Sequence, residues 1–188
     1  MVDLSRDPLN NAIQNGIKDD IEFNLAHDRY RATVILILAG IDAMAFLDMP
    51  AGQQDVKAAD FIAWAKRYIS LPCKEQVSGE DLYGARCAML HSYGAFSKMS
   101  RNGSCRVVGW MNESIPEVRY DPAIDPKLVL VSIAALKKAF FTGIDTFLVR
   151  AFTDVSRIPL LEARLELLVQ SYPAKNVQPV SGTNTGTA

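Results

Sequence analysis

The fold of this chain is organised around residues 78–93, which have the sequence SGEDLYGARCAMLHSY. Ser78 belongs to the residue types that cap helix N-termini, and the two acidic residues after Gly79 complement the positive end of a helix dipole. Apolar residues then recur at helical spacing, which predicts one short amphipathic helix. This helix carries Arg86 and His91, and the chain contains only two histidines.

Arg86 and His91 form the strongest candidate site in the sequence. A guanidinium presents a rigid fork of donors to phosphate oxygens, and an imidazole, with an unperturbed pKa of about 6.5, transfers protons near neutral pH. Five residues along a helix correspond to a rotation of about 140°, so we expect the two side chains to flank a groove near the helix end. The spacing alone is more typical of a structural pair, in which the arginine is salt-bridged within a bundle and the histidine ends a helix.

Length and composition predict a single globular domain. The 188 residues are 49% hydrophobic and 22% charged, which is ordinary for a globular protein with one buried core. The formal net charge of -1 provides no overall attraction to nucleic acid. Any nucleic-acid binding must therefore come from local clusters of basic residues.

Cysteine and histidine usage argues against metal and disulfide chemistry. The three cysteines are odd in number and lack C-x2-C spacing, and His27 lies far from His91 in the sequence. We therefore expect no metal, no cofactor and a reducing compartment, the cytoplasm. The N-terminus lacks an apolar signal segment, and the longest apolar run, residues 32–47, is shorter than the ~20 residues that span a bilayer. We interpret this run as a buried core helix and expect no membrane association.

Helix-start and helix-stop signals divide the first half of the chain. Asp7-Pro8 predicts a helix start. The apolar pattern that follows extends to Pro50 as one long helix or two, with Asn15-Gly16 as the expected break. A shorter amphipathic helix is predicted over residues 58–69.

The second half is predicted to be helical apart from one insertion. Residues 106–111, RVVGWM, have the β-branched and aromatic character of a short strand. Asp125-Pro126 predicts the start of a long apolar helix to about residue 152, followed by another from Ile158 to about Tyr172. We therefore predict an all-α bundle over residues 1–172 with a short extended or hairpin insertion after the motif helix. Residues 173–188 are predicted to form a flexible polar tail.

Two aspartates occur within apolar helical segments. Asp42 follows Gly40 and Asp145 follows Gly143, and the glycines would allow helices to approach closely. A carboxylate buried without a partner is strongly unfavourable. Arg86 is a candidate partner for either aspartate, and the open alternative is that both carboxylates face solvent or a nearby lysine or tyrosine.

The chain resembles the HEPN superfamily, whose all-helical members carry an arginine followed four to six residues later by a histidine. Residues 81–91 resemble the motif helix, and the helices around Gly40-Ile41-Asp42 and Phe61-Ile62-Ala63-Trp64 resemble those packed before it. The resemblance covers about residues 18–112. It implies a homodimeric helical bundle and a metal-independent endoribonuclease, in some families a toxin or defence component with a cognate antitoxin as its protein partner.

The resemblance also assigns roles to individual residues. Arg86 would bind the scissile phosphate, His91 would transfer protons, and cleavage would leave a cyclic phosphate. Asp42 and Cys87 would support this pair. Cys87, however, stands where the family often has Asn, Asp or His, which favours an alternative: a catalytically inactive HEPN-type module that binds nucleotide or RNA or mediates an interaction.

Basic and aromatic residues around the motif complete the candidates. Lys98, Arg101 and Arg106 follow His91 without an intervening acid and are predicted to bind RNA, the open alternative being a solvated loop. We expect three aromatic residues in the core rather than stacked on bases, namely Tyr83, Tyr93 and Trp110. Three arginines are predicted to lie on solvated helix faces, namely Arg150, Arg157 and Arg164.

Overall fold

The computed structural model describes residues 7–72, 77–112 and 114–171. It is mostly helical, at 62%, with seven α-helices in the described residues and a small three-stranded mixed sheet inserted in mid-chain. The elements are, in chain order, a π-helical segment Leu9–Lys18, α1 (Asp19–Ala26), α2 (Tyr30–Asp48), α3 (Ala58–Tyr68), α4 (Gly79–Ser92), α5 (Lys98–Arg101), β1 (Val107–Met111), β2 (Val118–Arg119), β3 (Leu128–Ser132), α6 (Ile133–Thr153), a 3-10 turn Val155–Arg157 and α7 (Ile158–Leu165). The predicted predominance of helix is confirmed.

The N-terminal helix starts where the sequence predicts but breaks elsewhere. The Asp7 carboxylate accepts a hydrogen bond from the Asn10 amide at 2.7 Å, which caps the first turn. The break expected at Asn15-Gly16 is wrong, because the π-helical segment continues through it into α1. The chain turns instead between α1 and α2, where Asp28 adopts a left-handed conformation with φ of 58°.

Helix α2 is the central element of the bundle. It contacts α1, α3, α4, α6 and α7 and contributes buried residues on several faces, among them Ile37, Leu38 and Ile41. Its length and composition would suffice to cross a membrane, and half of its most apolar stretch is buried within the chain.

Two glycines let neighbouring helices approach α2 and α6 closely, as the sequence predicts. A Cβ atom on Gly40 of α2 would lie 2.6 Å from the Phe140 ring of α6. A Cβ atom on Gly143 of α6 would lie 2.7 Å from the main-chain oxygen of Tyr68, at the end of α3. The core formed around these contacts is rich in aromatic residues, and Trp64 packs edge-on against Phe140, with ring centroids 6.1 Å apart.

The insertion is a mixed sheet rather than a hairpin. The strand order is β1-β3-β2, with β1 parallel to β3 from Val107↔Leu128 to Met111↔Ser132 and β2 antiparallel to β3. The helix predicted from Asp125-Pro126 is wrong for its first residues. The Asp125 carboxylate accepts a hydrogen bond from the Lys127 amide at 2.8 Å and closes a turn, and the β-branched alternation of β3 follows.

Helix α6 begins after β3, and the chain then folds back onto the end of α2. The Ser132 hydroxyl caps α6 by accepting a hydrogen bond from the Ala135 amide at 3.1 Å. Helix α7 is shorter than predicted, and the predicted flexible tail over residues 173–188 lies outside the described residues.

The prediction that Arg164 is solvated is wrong, because its side chain is buried and donates hydrogen bonds to the carbonyl oxygens that end α2. These acceptors belong to Leu47, Met49 and Pro50. Arg157 is half-buried and binds Asp48 at 3.0 Å, whereas Arg150 is exposed as predicted. Cationic side chains near a helix C-terminus satisfy carbonyl groups that have no partner within the helix.

Candidate functional site

Helix α4 is fixed at its start by Asp81. The Ser78 hydroxyl accepts a hydrogen bond from the Asp81 amide at 3.0 Å, and the Asp81 carboxylate accepts one from the Ser78 amide at 2.9 Å, which is the predicted cap in reciprocal form. The same carboxylate accepts the Arg106 amide at 2.7 Å and its guanidinium at 2.6 Å. Burial alone would raise the pKa of Asp81, but the hydrogen bonds from Arg106 and Ser78 outweigh it and hold this pKa below its usual range.

Arg86 reaches from α4 to α2. Its Nε donates a hydrogen bond to Asp42 Oδ2 at 2.8 Å, and both side chains are 23% exposed. Burial disfavours the charged guanidinium, but the hydrogen bond and the negative charge of Asp42 prevail and raise the pKa of Arg86. The expected pairing is therefore confirmed for Asp42, whereas Asp145 is bound by Lys18 at 2.6 Å on the surface.

His91 lies in direct contact with Arg86. The Nη1 atom of Arg86 is 3.2 Å from Nε2 of the exposed His91 ring. Because a guanidinium has only donors, a hydrogen bond here requires Nε2 to be the acceptor, with the imidazole proton on Nδ1. The length of the arginine side chain closes the angular gap that the helix geometry alone leaves between the two residues.

Cys87 packs on the side of α4 that carries Tyr83. The thiol is half-buried and lies near the Tyr83 hydroxyl. Burial, followed by the charge and hydrogen bond of Cys87, raises the pKa of Tyr83. The Tyr83 ring packs edge-on against Phe61 at 5.4 Å between centroids, so its expected place against the core is confirmed.

The three basic residues predicted to bind RNA have different environments. Lys98 is exposed on the first turn of α5, and Arg101 is exposed and donates to the Phe96 carbonyl at 3.2 Å. Arg106 is held by Asp81 and lies over the Tyr120 ring at 4.7 Å. Its guanidinium thus has a structural role, and RNA binding by these residues stays a prediction.

A cavity of about 670 Å³ opens beside the C-terminal end of α4, and the sequence interpretation did not anticipate it. It is lined by the turn before α2 and the start of that helix, by the end of α4, and by β1. Tyr93 lies on its wall and is 61% exposed, so its predicted place in the core is wrong. The signal in the sequence is the run Asp28-Arg29-Tyr30-Arg31, which combines cations with an aromatic residue.

No family model, curated protein or solved structure matches the chain significantly. Within residues 7–72, 77–112 and 114–171, no group of three or more His, Cys, Asp and Glu side chains is arranged to hold a metal ion. The functional interpretation therefore rests on the residues around Arg86 and His91 themselves.

Proposed function

We propose that this chain is a HEPN-type, metal-independent endoribonuclease that acts as a homodimer. The observation that carries the proposal is the 3.2 Å contact between Arg86 Nη1 and the exposed His91 Nε2. It joins a phosphate-binding cation and a proton acceptor at one surface position, which phosphodiester cleavage requires. A toxin or defence role with an antitoxin partner belongs to the same proposal and follows from the resemblance alone, and a cytoplasmic location follows from the cysteine usage.

The chemistry follows from the atoms that remain available. A guanidinium has five N–H donors, and the contacts with Asp42 and His91 engage one each. The others can bind the non-bridging oxygens of a phosphate. His91 Nε2 would give up its contact with Arg86 Nη1, accept a hydrogen bond from a ribose 2′-hydroxyl instead, and take the proton of that hydroxyl as its oxygen attacks phosphorus. The bond from phosphorus to the 5′ oxygen breaks, that oxygen takes a proton from solvent, and a 2′,3′-cyclic phosphate remains.

Asp42 would position Arg86 in this scheme. It binds Nε at 2.8 Å from the α2 side, so the guanidinium is held by its inner edge and presents its outer edge to the surface. Its carboxylate also keeps the guanidinium charged in a partly buried setting. This arrangement reduces the reorganisation that phosphate binding would otherwise require.

The alternative is a catalytically inactive module that binds RNA or nucleotide, and the environment of Cys87 favours it. The residue after Arg86 is a half-buried thiol on the side of α4 that carries Tyr83, and it presents no strongly polar group at the surface. A weakly polar thiol cannot replace the amide, carboxylate or imidazole of related motifs.

The test is cleavage of an unstructured single-stranded RNA in the presence of EDTA. His91→Ala and Arg86→Lys should each slow cleavage about a hundredfold or more, because one removes the proton acceptor and the other replaces a planar fork by a point charge. His27→Ala is the matched control, since His27 is exposed at the end of α1 and should leave the rate unchanged.

Four results would count against this proposal. Loss of activity in EDTA that a divalent ion restores would indicate a metal mechanism. An equal loss of cleavage rate in His27→Ala and His91→Ala would show that His91 has no special role in cleavage. An inactive wild type that gains cleavage through Cys87→Asn would favour the binding module, and a monomer at tens of micromolar in sedimentation would contradict the dimer.

A further inference from the structure

We propose that the cavity beside the end of α4 binds one unpaired nucleotide of an RNA strand, with the base against aromatic side chains and a phosphate on arginines. This inference rests on the proposed function, because it gives the same surface a second contact with its substrate. The cavity volume of about 670 Å³ falls within the range of small-molecule sites, roughly 300–1,000 Å³.

Aromatic side chains from three separate elements meet at this cavity. Tyr30 comes from the start of α2, Tyr93 from the end of α4 and Trp110 from β1. The Tyr30 hydroxyl donates a hydrogen bond to Asp28 Oδ1 at 2.6 Å, which holds its ring at the rim. Tyr93 is exposed, whereas Tyr30 and Trp110 are half-buried and pack against the core, as expected for Trp110. The accessible ring faces around the cavity are surfaces on which bases stack, and stacking accepts every base.

The charge at the rim suits a phosphate. Arg29 and Arg31 are both exposed at the cavity, and within the described ranges neither guanidinium has a carboxylate at ion-pair distance. Asp28, the acid among the lining residues, already accepts the hydrogen bond from Tyr30. The two guanidinium groups are therefore available for bidentate contacts with phosphate oxygens.

The backbone at the cavity is strained on both sides. Asp28, with φ of 58°, and Tyr93, with φ of 51°, are the two non-glycine residues with positive φ in the described parts of the chain, and both line this cavity. Glycine is the usual residue at a left-handed helix end, and Gly94 follows at once. A bulky ring held there instead is an outlier of the kind that clusters at ligand sites.

The position of the cavity relative to His91 identifies which nucleotide it would hold. Met89 lines the cavity from one face of α4, and Tyr93, the residue just after the helix, lines it as well. Helical geometry places His91, two residues after Met89, on another face of the same turn. A helix with its side chains is about 10–12 Å across. The cavity would therefore hold a base beside the cleavage point, on a strand that passes around the end of α4.

The experiment measures binding of a fluorescein-labelled, unstructured RNA of about eight nucleotides, a length within the site sizes known for single-strand binders. The full chain carrying His91→Ala is used, so that the RNA stays intact. Tyr93→Gly in this background should weaken binding about tenfold or more while folding as well as its parent, because glycine accepts the left-handed conformation. The Arg29→Ala and Arg31→Ala double variant should weaken it similarly and reduce the salt dependence.

Matched controls lie away from the cavity. Phe23 is 63% exposed on α1 and Arg150 is exposed on α6, so Phe23→Ala and Arg150→Ala should bind RNA like the parent. Binding of unlabelled RNA should also quench the tryptophan fluorescence of the parent but not that of Trp110→Phe, because the other tryptophan, Trp64, is buried. Adenosine monophosphate, the free-nucleotide probe, should compete only weakly.

Each contrary result has a distinct meaning. The proposed site would be overturned if Tyr93→Gly left the affinity for RNA unchanged. It would also be overturned if Arg150→Ala weakened RNA binding as much as the Arg29→Ala and Arg31→Ala double variant. If adenosine monophosphate competes with an affinity equal to that of the RNA, the cavity is a site for free nucleotides, and the proposal that it binds a nucleotide of an RNA strand is overturned. If wild type cleaves no RNA but Tyr93-dependent binding persists, the proposed cleavage fails and the cavity stands. If wild type cleaves RNA, and Tyr93→Gly neither weakens binding in the His91→Ala chain nor slows cleavage in a chain that keeps His91, only the cavity fails.

Discussion

Two arginine–carboxylate pairs lie along α4, and they differ in solvent exposure and in how many of their hydrogen-bonding groups already have partners. At the N-terminal end, Asp81 is 2% exposed and accepts hydrogen bonds from Ser78 and from both the main chain and the side chain of Arg106. Toward the C-terminal end, Asp42 and Arg86 are each 23% exposed, and Arg86 also contacts the exposed His91.

Within one helix, the first pair has a structural role and the second belongs to the candidate site. Asp81 and Arg106 satisfy one another and tie the start of α4 to β1, so little remains for a ligand. Arg86 is anchored on one edge only, and its remaining donors lie beside a proton acceptor. The two pairs thus differ in burial and in how many of their hydrogen-bonding groups are already used. Substitution should therefore cause a large loss of stability at Asp81 and a small one at Arg86.

The largest effect should come from Asp81→Ala. This change removes the cap of α4 and leaves Arg106 as a charge in a mostly buried setting, so we expect a loss of about 3–5 kcal/mol in the free energy of unfolding. Chemical denaturation of the full chain measures it. Glu80→Ala is the neighbouring control: Glu80 pairs with Lys66 on the surface and should cost under about 1 kcal/mol. A loss below about 1 kcal/mol in Asp81→Ala would erase the distinction between the two pairs.

Acid should remove part of the same stabilisation. The pKa of Asp81 in the folded chain lies below its usual range, so the unfolded chain binds the proton more readily. The stabilisation is therefore complete above the unfolded-state pKa, about 3.9, and is lost as the pH falls through the lower folded-state pKa. The difference in free energy of unfolding between wild type and Asp81→Asn should narrow from about pH 6 toward about pH 2. A constant difference across this interval would contradict the assignment.

The helices were predictable from the sequence where local signals and tertiary packing agree. Ser78, Asp7 and the closely packed glycines Gly40 and Gly143 act as expected. The strand Leu128–Ser132 was missed because its apolar residues suit a helix as well as a strand, and its parallel partner β1 lies about twenty residues away in sequence. Arg164 was missed because it binds carbonyl groups at the end of α2, a distant contact that no local pattern encodes.

The candidate site was predictable in its residue types but not in its surroundings. The spacing of Arg86 and His91 singled out the pair, and the need of a buried carboxylate for a partner made Asp42 and Asp145 equal candidates for Arg86, of which the structure pairs Asp42. The cavity was missed because its walls come from segments far apart in sequence. Tyr93 was assigned to the core on residue type and helical spacing, whereas the left-handed turn at that residue places it at the surface.

Smaller effects should come from Arg86→Ala and, smallest of all, from His91→Ala. Because Asp42 keeps access to water, removing its partner should cost about 1–2 kcal/mol, less than at Asp81, and His91→Ala should cost under about 0.5 kcal/mol. Adding Asp42→Asn to Arg86→Ala should recover part of the loss, since the uncompensated charge is then gone. Chemical denaturation of the four chains of this cycle measures the coupling. A loss of about 3 kcal/mol or more in Arg86→Ala, with no loss of RNA cleavage beyond that explained by unfolding, would make Arg86 a second structural anchor and withdraw the observation on which the ribonuclease proposal depends.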